Sequence, residues 1–275
     1  MQSLSITIIQ PNLAWENKTE NLYRISQKIE SIKDKTEVVI LPEMFSTGFS
    51  MNTELLAEKM DGETIEWMRK IASSKKIILT GSLIIEEAGK YFNRLVWMLP
   101  NGNYGYYDKR HLFAFANEDR HYTPGNKRLI ASVKGWKINL LICYDLRFPV
   151  WARQTPSPNL SPGGEGHLRG DGGEFEYDLL IFVANWPERR ITAWKTLLQA
   201  RAIENQCYVV GVNRVGEDGN KINYCGDSMI IDPVGEILYQ KSHEEDVFTC
   251  TLQKEKLTGA REKFPFWKDA DEFKL

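Results

Sequence analysis

Apolar residues recur along this chain with two alternating periods, one suited to strands and one to helices. Residues 4–10, LSITIIQ, read as a strand. Asn17, with Glu20 three residues on, has the form of a capping box. Behind it Leu22, Ile25, Ile29 and Ile32 recur at helical spacing and predict a helix with one apolar face. Residues 37–43, EVVILPE, form a short apolar run of the kind buried on both faces of a helix-covered sheet. Ile65, Met68 and Ile71 predict a second helix, followed by a strand at 77–85. Runs at 91–99 and 103–109 flank Pro100-Asn101-Gly102 and predict a hairpin. Further strands are predicted at 137–143, 178–184 and 207–213, with a helix over about 191–206 between the last two. Two more strand-like runs flank Asp232-Pro233-Val234-Gly235.

This alternation implies an α/β fold, a mixed sheet layered with helices. No repeat or linker divides the 275 residues, so one domain over 1–275 is expected. Residues 155–174, TPSPNLSPGGEGHLRGDGGE, break the pattern: they are crowded with Pro, Gly and Ser and nearly devoid of apolar residues. Such a composition predicts a mobile surface insertion, with a lid as the functional alternative; His167 lies inside it.

Net charge is −2, from 35 basic and 37 acidic residues, without a long run of either sign. That balance excludes a nucleic-acid or membrane-surface partner as the expected reading. The opening MQSLSITIIQPNLAW lacks a basic, apolar and small-residue leader pattern, and no apolar run approaches a membrane span. The four cysteines (143, 207, 225 and 250) show neither C-x-x-C nor zinc spacing. A reduced, cytoplasmic protein is expected, and nothing calls for a metal or an organic cofactor.

Three chemically capable residues stand at the ends of predicted strands, where ligand sites of α/β sheets gather. Glu43 closes VVILPE in an apolar setting, which raises a carboxylate's pKa and suits a general base. Cys143 closes INLLIC, as a nucleophile on a sharp turn would; the alternative is an ordinary buried cysteine. Lys109 closes YGYYDK and could supply a cation beside the thiol. Together with the Tyr144 backbone N–H it could hold an oxyanion.

The segments LPEM (41–44), DKRHLF (108–113), NEDRHYTPG (117–125) and LICYDLRFP (141–149) occur in this order. Together they resemble the carbon–nitrogen hydrolase, or nitrilase, superfamily. YDLLIFVANWP (177–187), QARAIENQ (199–206) and GDSMIIDPVGEI (226–237) extend the resemblance over nearly the whole chain. The resemblance implies a Glu-Lys-Cys triad at Glu43, Lys109 and Cys143, with a second glutamate at Glu118. It implies a four-layer αββα sandwich of two mixed sheets, and a homodimer packed through helices near the nucleophile. ANEDRHYTPG, CYDLRFPVWAR and VANWP are similar to the bacterial omega-amidase branch. That branch deamidates 2-oxoglutaramate and 2-oxosuccinamate and is linked with methionine salvage. The insertion at 155–174 departs from the family pattern just after the nucleophile.

Arg147 is the candidate grip for a substrate carboxylate, and Phe45, Phe115 and Trp186 are candidate walls of an apolar pocket. Structural pairing for Arg147 and core packing for the aromatic residues are the alternatives. Three rival readings remain. A papain-like thiol enzyme would use His111 or His121 as base. A nitrile or N-carbamoyl hydrolase would keep the same four residues. A silent scaffold would keep only the fold.

Overall fold

The protein is described here by a computed structural model covering residues 2–154 and 175–271. The insertion expected at 155–174, with His167, lies outside the described residues.

Two mixed β-sheets stack face to face. The first contains β1 (Ser3–Gln10), β2 (Val38–Ile40), β3 (Ile78–Glu87), β4 (Lys90–Met98) and β5 (Tyr104–Asp108). The second contains β6 (Leu129–Val133), β7 (Trp136–Ile142), β8 (Leu179–Val183), β9 (Tyr208–Val212), β10 (Val215–Glu217), β11 (Asn223–Ile231) and β12 (Ile237–Ser242). A last strand, β13 (Asp246–Gln253), returns to the first sheet, whose order is β13-β1-β2-β3-β4-β5. The second runs β10-β11-β9-β8-β7-β6, with β12 also paired to β11. Parallel pairs β1–β2 and β2–β3 lie in one sheet, and β7–β8 and β8–β9 in the other.

The strand period of two sorts the first sheet's side chains into two cores. Leu4, Ile6, Ile8, Val38, Ile40, Leu95 and Trp97 face the second sheet. Their neighbours Ile9, Val39, Leu41, Val96 and Met98 face outward onto helices α1 (Lys18–Glu30) and α3 (Glu63–Lys75). The short α2 (Thr53–Leu56) lies between those two helices in sequence. Asn17 caps α1 by accepting the Glu20 N–H at 3.1 Å. Leu22, Ile25 and Ile29 then bury the helix face, each contributing about 1.5–3 kcal/mol. Helix α1 stops at Glu30, so Ile32 packs from beyond its end. On the far side α6 (Ile191–Asn205) covers the second sheet with Trp194, Leu198 and Ala202. The layers are therefore α, β, β, α, as expected.

Among the elements unread in the sequence are the strands β6, β10 and β13, the short α2 and the C-terminal helix α7 (Lys254–Lys263). Strand β13 lies at a sheet edge and pairs with β1 from Ser3↔Gln253 to Gln10↔Asp246. Hydroxyl contacts Ser5–Thr251 (2.8 Å) and Thr7–Thr249 (2.9 Å) join it to β1, and Phe248, Cys250 and Leu252 alternate with those threonines to pack on the core. Strand β2 is shorter than the apolar run that predicted it. It ends at Ile40, and Glu43 sits in the turn that follows.

Two short helices, α4 (Glu118–His121) and α5 (Pro149–Ala152), follow β5 and β7 respectively. The segment carrying α4 is seated by Gly125, whose N–H donates to Lys109 O at 2.9 Å. A Cβ at Gly125 would lie 2.1 Å from the Asp108 carbonyl oxygen. Gly125→Ala is expected to destabilise the fold by roughly 1–3 kcal/mol, the usual scale of overpacking against rigid atoms. Chemical denaturation measures this; an unchanged midpoint would show that the backbone yields there at no cost.

Candidate active site

The ends of both sheets meet at one place. Glu43 follows β2, Lys109 follows β5, Glu118 opens α4, and Cys143 follows β7 by one residue. All four side chains are buried. Each carboxylate and the thiol is set by a left-handed residue: Met44 (φ 43°) after Glu43, Asn117 (φ 60°) before Glu118, and Cys143 itself (φ 43°). Such backbone costs about 1–3 kcal/mol per residue, so the surroundings must hold it in place.

At the nucleophile turn, Asp145 does much of that holding. It accepts the Ile142 N–H (3.0 Å), the Tyr107 hydroxyl (2.7 Å), the His111 N–H (3.0 Å) and His111 Nδ1 (2.8 Å). Arg201 donates to the Leu146 carbonyl at 2.6 Å and closes the far end of the turn. Tyr144 lies in the first turn of this 3₁₀ segment, where amides lack intrahelical acceptors. His111 is thereby engaged in structure: it binds Asp145 and stacks on Phe148 at 3.8 Å. His121 is exposed. Neither supports a histidine base.

The Lys109 ammonium lies 2.8 Å from Glu43 Oε1 and 3.0 and 2.9 Å from the two oxygens of Glu118. Burial works against its charge, but Glu118 and Glu43 outweigh that and hold its proton well above the ordinary lysine range. Burial pushes Glu118 up, and Glu43 adds to the push; Lys109 and the Phe113 N–H oppose without cancelling it. Asn93, unread in the sequence, donates to Glu43 Oε1 (2.8 Å) and Glu118 Oε1 (3.2 Å). Its own carbonyl accepts the Ser82 hydroxyl at 2.7 Å. Asn185, also unread, gives its backbone N–H to Glu43 Oε2 at 2.8 Å and its side-chain amide to the Glu43 carbonyl at 2.5 Å.

A carboxylate offers about four acceptor positions. Glu118 has filled four: Lys109 twice, Asn93, and the Phe113 N–H at 2.6 Å. Glu43 Oε1 has filled two and Oε2 one. Among the described residues, the hydrogen bonds to the two carboxylates leave one acceptor position, on Glu43 Oε2. The setting of Glu43 is thus rich in donors, not apolar as the flanking residues implied. The Cys143 thiol is raised well above its ordinary range by burial, then by Glu43, with Lys109 offsetting only part. The cation expected to activate the thiol is thus outweighed by burial and by Glu43.

These groups open onto a cavity of about 490 Å³ lined by Lys109, Cys143, Tyr144, Arg147, Phe115 and Trp186 among others. Trp186 is fixed by Asn213, which accepts its N–H at 2.8 Å and donates to its carbonyl at 3.0 Å. Phe115 is 77% exposed at the rim. Phe45 is not in the cavity. The left-handed turn at Met44 sends it into the core beneath the first sheet, 5.9 Å from the Trp67 ring and against Gly81. Phe49, Phe113, Tyr224 and Arg190 line the cavity instead and were unread, since they come from segments far apart in sequence. Among the described residues no group of three or more His, Cys, Asp or Glu is placed to hold a metal ion.

A family model described as carbon–nitrogen hydrolase matches residues 5–262. The chain is 41% identical over 276 residues to omega-amidase YafV of Escherichia coli strain K12, covering 100% of both chains. It is 28% identical to a 2-oxoglutaramate amidase of Bacillus subtilis, covering 96% of each. Among solved structures it is similar to XC1258 of Xanthomonas campestris, with 42% identity, TM-score 0.91 and 100% coverage of both chains. That protein is described as a member of the CN-hydrolase superfamily with an arsenic adduct in its active site.

Since the charge of Glu43 helps keep the thiol protonated, Glu43→Gln is expected to let Cys143 titrate at lower pH while turnover is lost. Ultraviolet thiolate absorbance, with the Cys143→Ala signal subtracted, reads the midpoint. A midpoint that stayed put or rose would show that Glu43 does not face the sulfur as an anion.

Proposed function

The chain belongs to the carbon–nitrogen hydrolase family, and from that premise we propose that it is an omega-amidase. It hydrolyses the terminal amide of a small 2-oxo dicarboxylic acid monoamide, 2-oxoglutaramate or 2-oxosuccinamate, to the 2-oxo acid and ammonia. The observation that carries the chemistry is the buried Lys109 ammonium between Glu43 and Glu118, in a cavity that Lys109 and the Cys143 thiol line together. The identity to an omega-amidase over the full chain supports the substrate.

The mechanism follows from which positions are free. Cys143 Sγ attacks the amide carbon as its proton passes to Glu43 Oε2. Lys109 binds Glu118 with one shared N–H and turns another to the oxyanion, which the Tyr144 N–H also meets. Losing one such donor typically costs about 10²–10³ in rate. Glu43 then hands its proton to the departing nitrogen, so ammonia leaves and a thioester remains on Cys143. Water gives a proton to Glu43, attacks the thioester carbon, and the thiolate departs and is reprotonated. Glu118, its acceptor positions filled, holds Lys109 and does not exchange protons. Arg147, 5.0 Å over the Trp186 ring at the cavity wall, meets the substrate carboxylate, and Trp186 and Phe115 flank the carbon chain.

In this reading the chain is one domain, supported by the family match over 5–262 and by pairing of the two chain ends through β1 and β13. A homodimer is part of it as well. Exposed Val150 on α5 and Ile203 on α6 lie on elements beside the nucleophile turn, and sedimentation showing a monomer at micromolar concentration would remove that part. Among the described residues no helix is long and apolar enough to cross a membrane. The link with methionine salvage travels with the substrate and stands or falls with it.

Ammonia release is measured from 2-oxoglutaramate beside glutamine, asparagine, a simple nitrile and an N-carbamoyl amino acid. Release from the 2-oxo amide above all others is expected, falling by roughly 10⁴-fold or more in Cys143→Ala, the scale of removing a nucleophile. Release mainly from another substrate would keep the mechanism and discard the omega-amidase assignment. Silence of the folded protein on every substrate would favour the scaffold reading.

A further inference from the structure

One side of the cavity carries three guanidinium groups, those of Arg147, Arg189 and Arg190. Each rests on an aromatic face: Arg147 on Trp186 at 5.0 Å, Arg189 on Phe115 at 6.0 Å and Arg190 on Phe113 at 5.0 Å. None has a carboxylate partner among the described residues. Several other arginines are ion-paired, Arg94 with Asp108 at 2.7 and 2.9 Å, Arg261 with Asp178 at 3.2 Å and Arg201 with Glu204 at 2.9 Å, while the buried Arg214 is held by carbonyl oxygens of Leu13 and Val215 at 3.1 Å.

Arg190 is the most constrained of the three. It is half-buried, and its carbonyl accepts the Trp186 indole N–H at 2.9 Å, which ties it to the cavity wall. Burial lowers its pKa, and the charges of Arg189 and Arg147 lower it further, so the three groups feel one another. It is also the N-cap residue of the 15-residue α6, whose first turn holds no acid. A cation is disfavoured at the positive end of a helix, and an anion is favoured there. The cavity's own acids are committed elsewhere. Glu16 accepts the Ser50 hydroxyl at 2.5 Å, and Asp218 accepts Tyr224, Asn220 and Ile222 at 2.8–3.0 Å. Arg147 and Arg189 are exposed and Arg190 is half-buried, so an anionic ligand entering the cavity meets all three.

We propose that Arg190 is a specificity-determining residue, sharing the substrate's carboxylate and 2-oxo oxygen with Arg147. The same crowding of positive charge rejects a 2-ammonium group, so the cavity separates a 2-oxo acid monoamide from the matching amino acid, glutamine. Like charges placed together without a counter-ion act against the wrong ligand as strongly as good contacts act for the right one. This assignment rests on the omega-amidase reading, and deepens it from a reaction to a discrimination.

Arg190→Gln and Arg190→Lys are compared with wild type on 2-oxoglutaramate, glutamine and pentanamide, a neutral amide. Arg190→Gln is expected to raise KM for 2-oxoglutaramate about 10–100-fold, the loss of a charge-assisted hydrogen-bonding partner. Pentanamide should lose several-fold less, and the ratio of kcat/KM for 2-oxoglutaramate over glutamine should fall. Arg190→Lys, which keeps the charge without the fork, should retain more of that ratio than Arg190→Gln does. An equal loss on all three amides would mean a structural role and overturn the proposal, as would an unchanged ratio. Calorimetry of 2-oxoglutarate binding to Cys143→Ala, with and without Arg190→Gln, reads the same contact without turnover. Binding weakened about tenfold or more supports the proposal even where wild type proves inactive on the 2-oxo amide, an outcome that sinks only the omega-amidase reading. Equal binding overturns the proposal.

Discussion

A single ammonium group, held without solvent between two carboxylates, is the constraint on which the rest of this structure turns. Lys109 would be ruinous where it sits if either Glu43 or Glu118 were missing, because each buried ion forfeits several kcal/mol of hydration. Removing one partner of such a pair generally destabilises a fold by about 3–5 kcal/mol. The three residues come from three separate chain segments, all at one end of the first sheet. The strained turns at Met44 and Asn117 are tolerable because the ion triad holds what they present.

That arrangement also divides the chemical work. Glu118 and Glu43 are both buried acids beside the same cation, and residue type cannot separate them. Acceptor capacity can. Asn93 and Lys109 occupy Glu43 Oε1, and the Asn185 N–H leaves one position of Oε2 open. Glu118 has no such position left. Asn93 spans both carboxylates and is itself anchored by Ser82, whose hydroxyl also accepts the Met44 N–H at 2.9 Å. One hydrogen-bonded chain therefore runs from the turn beside Glu43 to Glu118. Burial and the charge of Glu43 both raise the pKa of the Cys143 thiol, and Lys109 offsets only part of that.

Above this floor the cavity changes character. Aromatic faces replace carboxylates as the neighbours of the arginines, leaving positive charge uncancelled along one wall. Cation–aromatic contact stabilises a guanidinium only modestly and leaves its fork of N–H donors available. The floor is balanced by its own ions, and among the described residues the wall is not.

Much of this was legible in the residues. Alternating periods located most strands and the long helices because burial on one or two faces imposes those periods wherever a layer is packed. The order of the LPEM, DKRHLF and LICYDLRFP segments singled out Glu43, Lys109 and Cys143, and the resemblance added Glu118. Strand β13 escaped because its apolar residues Phe248, Cys250 and Leu252 alternate with threonines and form no continuous run. Phe45 was misassigned because it packs in the core beneath the first sheet, against Trp67 and Gly81, and the path of the chain after β2 is invisible in a string of letters. Asn93 and Asn185 were passed over as ordinary amides within apolar stretches. Whether an amide meets solvent, backbone or a catalytic carboxylate depends on partners 50 and 142 residues away. By itself, then, the sequence determined the layers and the reactive groups, since both follow from local period and side-chain chemistry. Only the tertiary structure decided which glutamate has room for a proton, which aromatic rings face the cavity and which arginines lack a partner, because those are properties of convergence in space.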